Sequence, residues 1–177
     1  SPERLAAEVD HNTAIIYLVD PNNPLGITYT ADEIGAFAAI ARDVGAILIH
    51  DSTYRDFAQG HTPASLIYPE GAVTVVSFSK WLGLAGMRIG ALVAYPDLMD
   101  RFAPFSTAPL GANVVAQAAA LPGPSVQAAW MAEVQPLQRH NQDLHTPAVD
   151  QLPRLSTPVH PSPGLFALYP RRSSCPP

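Results

Sequence analysis

The sequence predicts an α/β domain built on a mostly parallel sheet. Three observations carry that expectation. Short apolar runs of strand length each end in polar or turn-forming residues. The first two runs are separated by one amphipathic helical pattern, the βαβ order that favours parallel pairing. The 177 residues, 47% hydrophobic with a formal charge of −5, are enough to bury one core as a soluble domain.

The first strand is read at residues 14–19 (Ala-Ile-Ile-Tyr-Leu-Val), closed by the turn formers Asp20-Pro21-Asn22-Asn23-Pro24-Leu25-Gly26. Thr30 and Glu33 then have capping-box spacing. Ile34, Phe37, Ala41 and Val44 mark one helical face, and Gly45 is placed to end the helix. A second strand follows at 46–50 and ends at Asp51. Residues 73–78 and 90–95 read as a third and fourth strand, with a polar, Gly-punctuated segment at 79–89 between them. Pro96 opens a short helix to Phe102, residues 113–121 are helical in character, and a longer helix covers 125–150 despite Pro136 and Pro147. Of the 19 prolines, 7 lie from Pro153 onward, so long regular elements are not expected there; only 165–169 could form another strand.

Composition excludes several classes. With 10 basic against 15 acidic residues and no Lys/Arg run, neither nucleic acid nor an anionic membrane surface is the expected partner. No apolar stretch reaches the ~18 residues of a membrane span. Ser1-Pro2-Glu3-Arg4 lacks the basic and apolar regions of a secretory signal, so a cytoplasmic location is expected. The single cysteine, Cys175, gives no disulfide framework and has no local base to make it a nucleophile. His50 precedes Asp51 and in strand alternation faces the other side, as a packed histidine. His61, His140, His145 and His160 show no metal-ligand spacing, and no metal site is expected. Arg55 and Asp56 read as a solvated pair, and Trp81 either lines a site or packs under it. Nine of the ten basic residues are Arg, leaving Lys80 as the only lysine.

The strand ends carry a distinctive polar set: Asn23, then Asp51 with Tyr54, then Ser77, Ser79, Lys80 and Arg88. Together these resemble the second half of the large domain of the fold-type I pyridoxal-phosphate enzymes, in particular the class I/II aminotransferases. Asn23-Pro24-Leu25-Gly26 is similar to the family's Asn-Pro-x-Gly loop, and 28 residues later Asp51-Ser52-Thr53-Tyr54 is similar to its Asp-x-x-Tyr. Ser77-Phe78-Ser79-Lys80 resembles its Ser-x-Ser-Lys, and Gly86-Met87-Arg88-Ile89-Gly90 its Gly-x-Arg-x-Gly, with Arg88 eight residues after Lys80. The resemblance implies a three-layer α/β/α architecture with a mostly parallel sheet. It also implies the cofactor pyridoxal 5'-phosphate and an amino-group exchange between an amino acid and a 2-oxo acid.

The residue types suit that chemistry. An aldehyde cofactor held as a Schiff base requires a lysine, and the resemblance gives that role to Lys80, which also serves as base and acid at the substrate Cα. A carboxylate beside the pyridine nitrogen keeps it protonated, the role implied for Asp51. Asn23 and Tyr54 are implied as partners of the ring's phenolate oxygen. A guanidinium and hydroxyls suit the phosphate dianion, the role implied for Arg88, Ser77 and Ser79.

By this reading residues 1–120 are part of the large cofactor-binding domain, 121–150 an interdomain helix, and 151–177 a truncated, Pro-rich remnant of a small domain. The family's Gly/Ser-rich phosphate loop and its ring-stacking aromatic residue do not occur in the sequence. Arg171 and Arg172 follow the 165–169 run but are not assigned as the substrate clamp. The tail reads as a truncation or altered reading frame, and the chain as a fragment of a subunit that pairs as a homodimer. The same motif set also serves decarboxylases, lyases and cyclases of this cofactor class, and a non-catalytic ligand-binding module is the reading outside enzymes. Transamination is favoured because all four motifs are typical of class I/II.

Overall fold

The computed structural model describes residues 1–106, 111–155 and 166–170. A short helix α1 (Pro2–Ala6) precedes strand β1 (Ile15–Val19), helix α2 (Ala31–Val44), strand β2 (Ile47–Asp51), strand β3 (Ala72–Ser77) and strand β4 (Gly90–Val93). Helices α3 (Pro96–Phe102), α4 (Val114–Ala120) and α5 (Gly123–Asp150) follow. The four strands form one sheet in the order β1-β2-β3-β4. β1, β2 and β3 are parallel, while β4 runs antiparallel to β3. The connection from β3 to β4 has only a 3-10 turn at Ala85–Met87 and no crossover helix, so the chain turns back on itself rather than crossing over.

Helix α2 begins and ends where the sequence says it should. The Thr30 side chain accepts from the Glu33 N–H while Glu33 accepts from the Thr30 N–H, completing the capping box. Gly45 stops the helix at φ +76, a left-handed conformation costly for a residue with a Cβ. The face between these caps buries Ile34, Phe37, Ala38 and Ala41 against Ile16, Leu18, Leu48 and Ala72 of the sheet. Burial of each large side chain there stabilises the fold by roughly 1.5–3 kcal/mol. Strand alternation sends the other set to the opposite face, where Ile15 is 54% and Tyr17 58% exposed. Asp51 belongs to that open face, because it pairs with Val19 and Val75 rather than with the core-facing register.

A second cluster lies beyond the carboxyl ends of the strands: Tyr54, Phe57, Trp81 and Met131, with Phe78, Leu82, Val134 and Phe166 packed on it. It docks α5, 28 residues long and unbroken by Pro136 and Pro147. The helix starts where a Cβ on Gly123 would come 2.9 Å from Leu82 Cδ2 and 3.2 Å from Trp81 Cη2, so glycine permits the close approach. Trp81, 3% exposed, packs in this cluster, which resolves the choice left open by the sequence.

The expected strand at 165–169 is not found. Phe166 to Pro170 is irregular, and residue 165 lies outside the described residues. A strand needs a neighbour to take its backbone hydrogen bonds, whereas Phe166 instead sets its ring edge-on to Tyr54 at 4.8 Å. Arg171, Arg172, Cys175 and His160 lie outside the described residues. Among the described residues, no helix is long and apolar enough to cross a membrane.

Candidate active site

The carboxyl ends of the three parallel strands lie side by side, the usual place for chemistry in an open α/β sheet. The loop after β1 presents Asn23, whose Nδ2 donates to the Tyr54 hydroxyl at 3.4 Å. Both X-Pro bonds of that loop, Asp20–Pro21 and Asn23–Pro24, are cis. Tyr54 follows β2 and is 7% exposed, with Lys80 Nζ 5.9 Å from its ring centroid. Lys80 is exposed, its amine free to meet a ligand. Asn23, Tyr54 and Lys80, drawn from three separate loops, therefore form one group.

Asp51 ends β2 with its carboxylate held on both sides. Oδ1 accepts from Thr53 Oγ1 at 2.6 Å and from the Thr53 N–H at 3.1 Å. Oδ2 accepts from the Tyr17 hydroxyl at 2.5 Å. That hydrogen bond, then partial burial and the Asp51 charge, push the Tyr17 phenol up to about 12. Tyr17 was not singled out in the sequence, where it is one apolar-run residue among several.

Ser77, Ser79 and Arg88 line a third feature, a cavity of about 380 Å³ shared with Thr53, Val75 and Gly90. The Ser77 hydroxyl accepts from the Ser79 N–H at 3.2 Å, which folds the turn so that both serines face one space. Arg88 sits in the left-handed region at φ 52, unusual for a residue with a side chain. Its Nη1 donates to the Ala85 carbonyl at 2.9 Å, fixing the guanidinium at the rim. The donors here are a guanidinium, two hydroxyls and turn N–H groups, a set matched to an anion. The seven residues thus divide into an amine group around Tyr54, a carboxylate held by Thr53 and Tyr17, and an anion cradle.

Two expectations about neighbouring residues are corrected. Asp56 is not solvated. Its side chain is 4% exposed, 3.8 Å from Arg55, and its Oδ1 accepts from Gln127 Nε2 of α5. Its carbonyl accepts from Gln135 Nε2 at 3.0 Å. Burial pushes the Asp56 carboxyl up, against the opposing pull of Arg55 and Gln127. The pair is read as solvated in sequence because its partners lie 71 and 79 positions away.

His61 is not isolated either. Its Nε2 lies 3.3 Å from Asp20 Oδ2, as does that of His50, so the fold gathers two imidazoles and a carboxylate that have no ligand spacing in sequence. Their hydrogen bonds give the group a different character from a metal site. The Ala64 N–H donates to His50 Nδ1 at 3.0 Å, so that nitrogen is the acceptor and Nε2 carries the proton toward Asp20. A cation on His50 Nε2 would need the proton moved to Nδ1, facing a second N–H. Asp20 also accepts from the Tyr29 N–H at 2.9 Å. Burial opposes its ionisation more than any other single influence, but the hydrogen bonds from His50, His61 and Tyr29 together outweigh it and hold the carboxyl below its usual range.

Against this geometry, the chain matches the family model described as aminotransferase class I and II over residues 3–173. It is similar to histidinol-phosphate aminotransferase 1 of Nitrosococcus oceani, 35% identical over 125 residues, covering 67% of this chain and 32% of that protein. It is also similar to LL-diaminopimelate aminotransferase of Lachnospira eligens, 40% identical over 89 residues, covering 48% of this chain and 22% of that protein. Among solved structures, the aspartate aminotransferase from Thermus thermophilus with maleate superposes with a TM-score of 0.83 at 24% identity, covering 94% of this chain and 44% of that one. That likeness shows the fold. The chain spans about a third or less of the length of these curated relatives.

Proposed function

The chain belongs to the class I and II aminotransferase family, and from that premise we propose that it is the lysine-bearing part of a pyridoxal 5'-phosphate-dependent aminotransferase. Such an enzyme moves an amino group between an amino acid and a 2-oxo acid. The observation that carries the reading is the convergence of Lys80, the chain's only lysine, with Tyr54 and Asn23 at the carboxyl ends of parallel strands, next to an anion cradle lined by Ser77, Ser79 and Arg88.

The donor set fits the cofactor. Arg88, Ser77 and Ser79 would bind its phosphate, Asn23 and Tyr54 would donate to its phenolate oxygen, and Asp51 would accept from its pyridine N–H. When bound, the cofactor supplies an aldehyde and an electron-withdrawing ring. Lys80 Nζ would hold the aldehyde and would be the base and acid that takes the proton from the substrate Cα and returns it. Asp51 would keep the ring nitrogen protonated through a charge-assisted hydrogen bond. The relatives are named for histidinol phosphate and LL-diaminopimelate, and what they share is amino transfer. It extends to a cytoplasmic homodimer. The single cysteine suits a reducing compartment, and the open sheet face with Ile15 and Leu92 half exposed offers surface to a second polypeptide.

Because only Lys80 and the Ser1 amine can react, the test is direct. The chain is incubated with pyridoxal phosphate, reduced with borohydride, and the adduct located by peptide mass, with Lys80→Ala as control. A saturable adduct on the Lys80 peptide, absent in the variant, is expected. Labelling confined to Ser1, or none at all, refutes cofactor binding by this chain.

A further inference from the structure

We infer that Tyr17 is a positioning residue for Asp51, a donor on the neighbouring strand β1 that aims the carboxylate at the cofactor's ring nitrogen. The inference rests on the proposed function and extends it to a residue outside the four motifs.

The argument starts from strand register. Tyr17 pairs with Ile49 and Val19 with Asp51, so Tyr17 and Asp51 are diagonal neighbours on one face, a separation that only a long side chain spans. The tyrosine spans it, and its hydroxyl donates to Oδ2 at 2.5 Å, the length of a strong hydrogen bond to a charged acceptor. A carboxylate offers about four lone-pair sites. Thr53 takes two on Oδ1 through its N–H and hydroxyl, and Tyr17 takes one on Oδ2. One site on Oδ2 remains for a further donor, on the open face of the sheet. With both oxygens tied, the carboxylate cannot turn about its Cβ–Cγ bond, so its remaining lone pair has a fixed direction. Such pre-organisation strengthens an incoming N–H···O bond, because the ordering cost is already met. The high phenol pKa agrees: the hydrogen bond to Asp51, then partial burial and the Asp51 charge, hold the proton on Tyr17 up to about 12.

Tyr17 is 58% exposed, so Tyr17→Phe removes the hydroxyl without opening a cavity. Two measurements on the full chain decide the matter. The first uses no cofactor: the ¹³Cζ resonance of Tyr17, identified by its loss in Tyr17→Phe, is titrated over the alkaline range in which the far-UV dichroism holds. It is expected to ionise late in the wild type and near the ordinary value in Asp51→Asn. Ionisation near the ordinary value in the wild type overturns the pair. The second compares equilibrium binding of pyridoxal phosphate with that of its 1-deaza analogue, which has carbon in place of the ring nitrogen. Tyr17→Phe is expected to weaken pyridoxal phosphate roughly tenfold, the scale of one hydrogen bond to a charged group, and to leave the analogue unchanged. Equal loss for both ligands, or no loss for either, overturns the assignment of Tyr17 while the function stands. Failure of the wild type to bind pyridoxal phosphate, with the pair intact by resonance, overturns the function and with it this assignment.

Discussion

His50 and Asp51 are adjacent in sequence yet serve opposite faces of the sheet, and the one turned inward needs the more elaborate support. His50 and Asp20 are both fully buried, which is tolerable only because each has partners: Ala64 N–H on His50 Nδ1, and His50, His61 and the Tyr29 N–H around Asp20. This network ties the end of β1, strand β2 and the residues after Tyr54 together, directly behind the loop that carries Asn23. Replacing Asp20 with Asn leaves His50 and His61 without their shared acceptor charge and is expected to cost about 3 kcal/mol at neutral pH, the scale for breaking a buried charged contact. The pH dependence follows from the direction of the shift. A carboxyl that ionises at lower pH when folded than when unfolded contributes fully above about 4, its unfolded value, and loses that contribution as pH falls through its folded value. Urea unfolding at several pH values should therefore show the gap between wild type and Asp20→Asn closing below about pH 4. A gap unchanged from pH 7 to pH 3 would show that the charge of Asp20 is not what stabilises the network.

Helix α2 illustrates how much of an element the sequence writes down locally. Its cap, apolar face and terminator all lie within the residues they act on, and the structure places them as the spacing requires. The two glycines of this segment then make opposite predictions. At Gly45, with φ +76 and open space around a Cβ, alanine meets only backbone strain, about 1 kcal/mol. At Gly35, inside the helix and equally free of neighbours, alanine stabilises by roughly 0.5–1 kcal/mol through lost unfolded-state freedom. Thermal melts should move in opposite directions, by a few degrees each; the same sign for both would contradict the capping geometry. Helix α5 shows the other side. Its existence is legible through two internal prolines, but its docking is not, because Gln127 and Gln135 meet Asp56 across 71 and 79 positions. The same limit hid the Tyr17–Asp51 pair, 34 positions apart, and the Asp20–His50 contact, 30 apart. The four motifs were legible because each holds its chemistry within a few residues of a strand end. Partners brought in from other strands leave no periodic signal.

At the scale of the molecule, the sheet is asymmetric. One face carries α2 and the packed apolar cluster, while the other presents Ile15, Tyr17 and Leu92, each more than half exposed, beside Asp51. Exposed apolar side chains on an open sheet face are where other polypeptide or an apolar ligand can bind, and here the face also carries the carboxylate that the proposed function assigns to the cofactor ring. The open face gives a prediction independent of any catalytic reading. The native chain should bind an apolar fluorescent dye, and replacing Ile15 and Leu92 together with Thr should reduce that binding severalfold. Threonine, being β-branched, favours strand conformation, and exposed substitutions of this kind change stability by only about 0.5 kcal/mol, so the thermal midpoint should hold. Dye binding that falls only when the midpoint also falls would place the signal in partly unfolded molecules rather than on the sheet. Binding unchanged by the double substitution would move the apolar surface elsewhere, to the exposed Leu137 and Leu144 of α5, and would leave the sheet face open but without affinity for a partner.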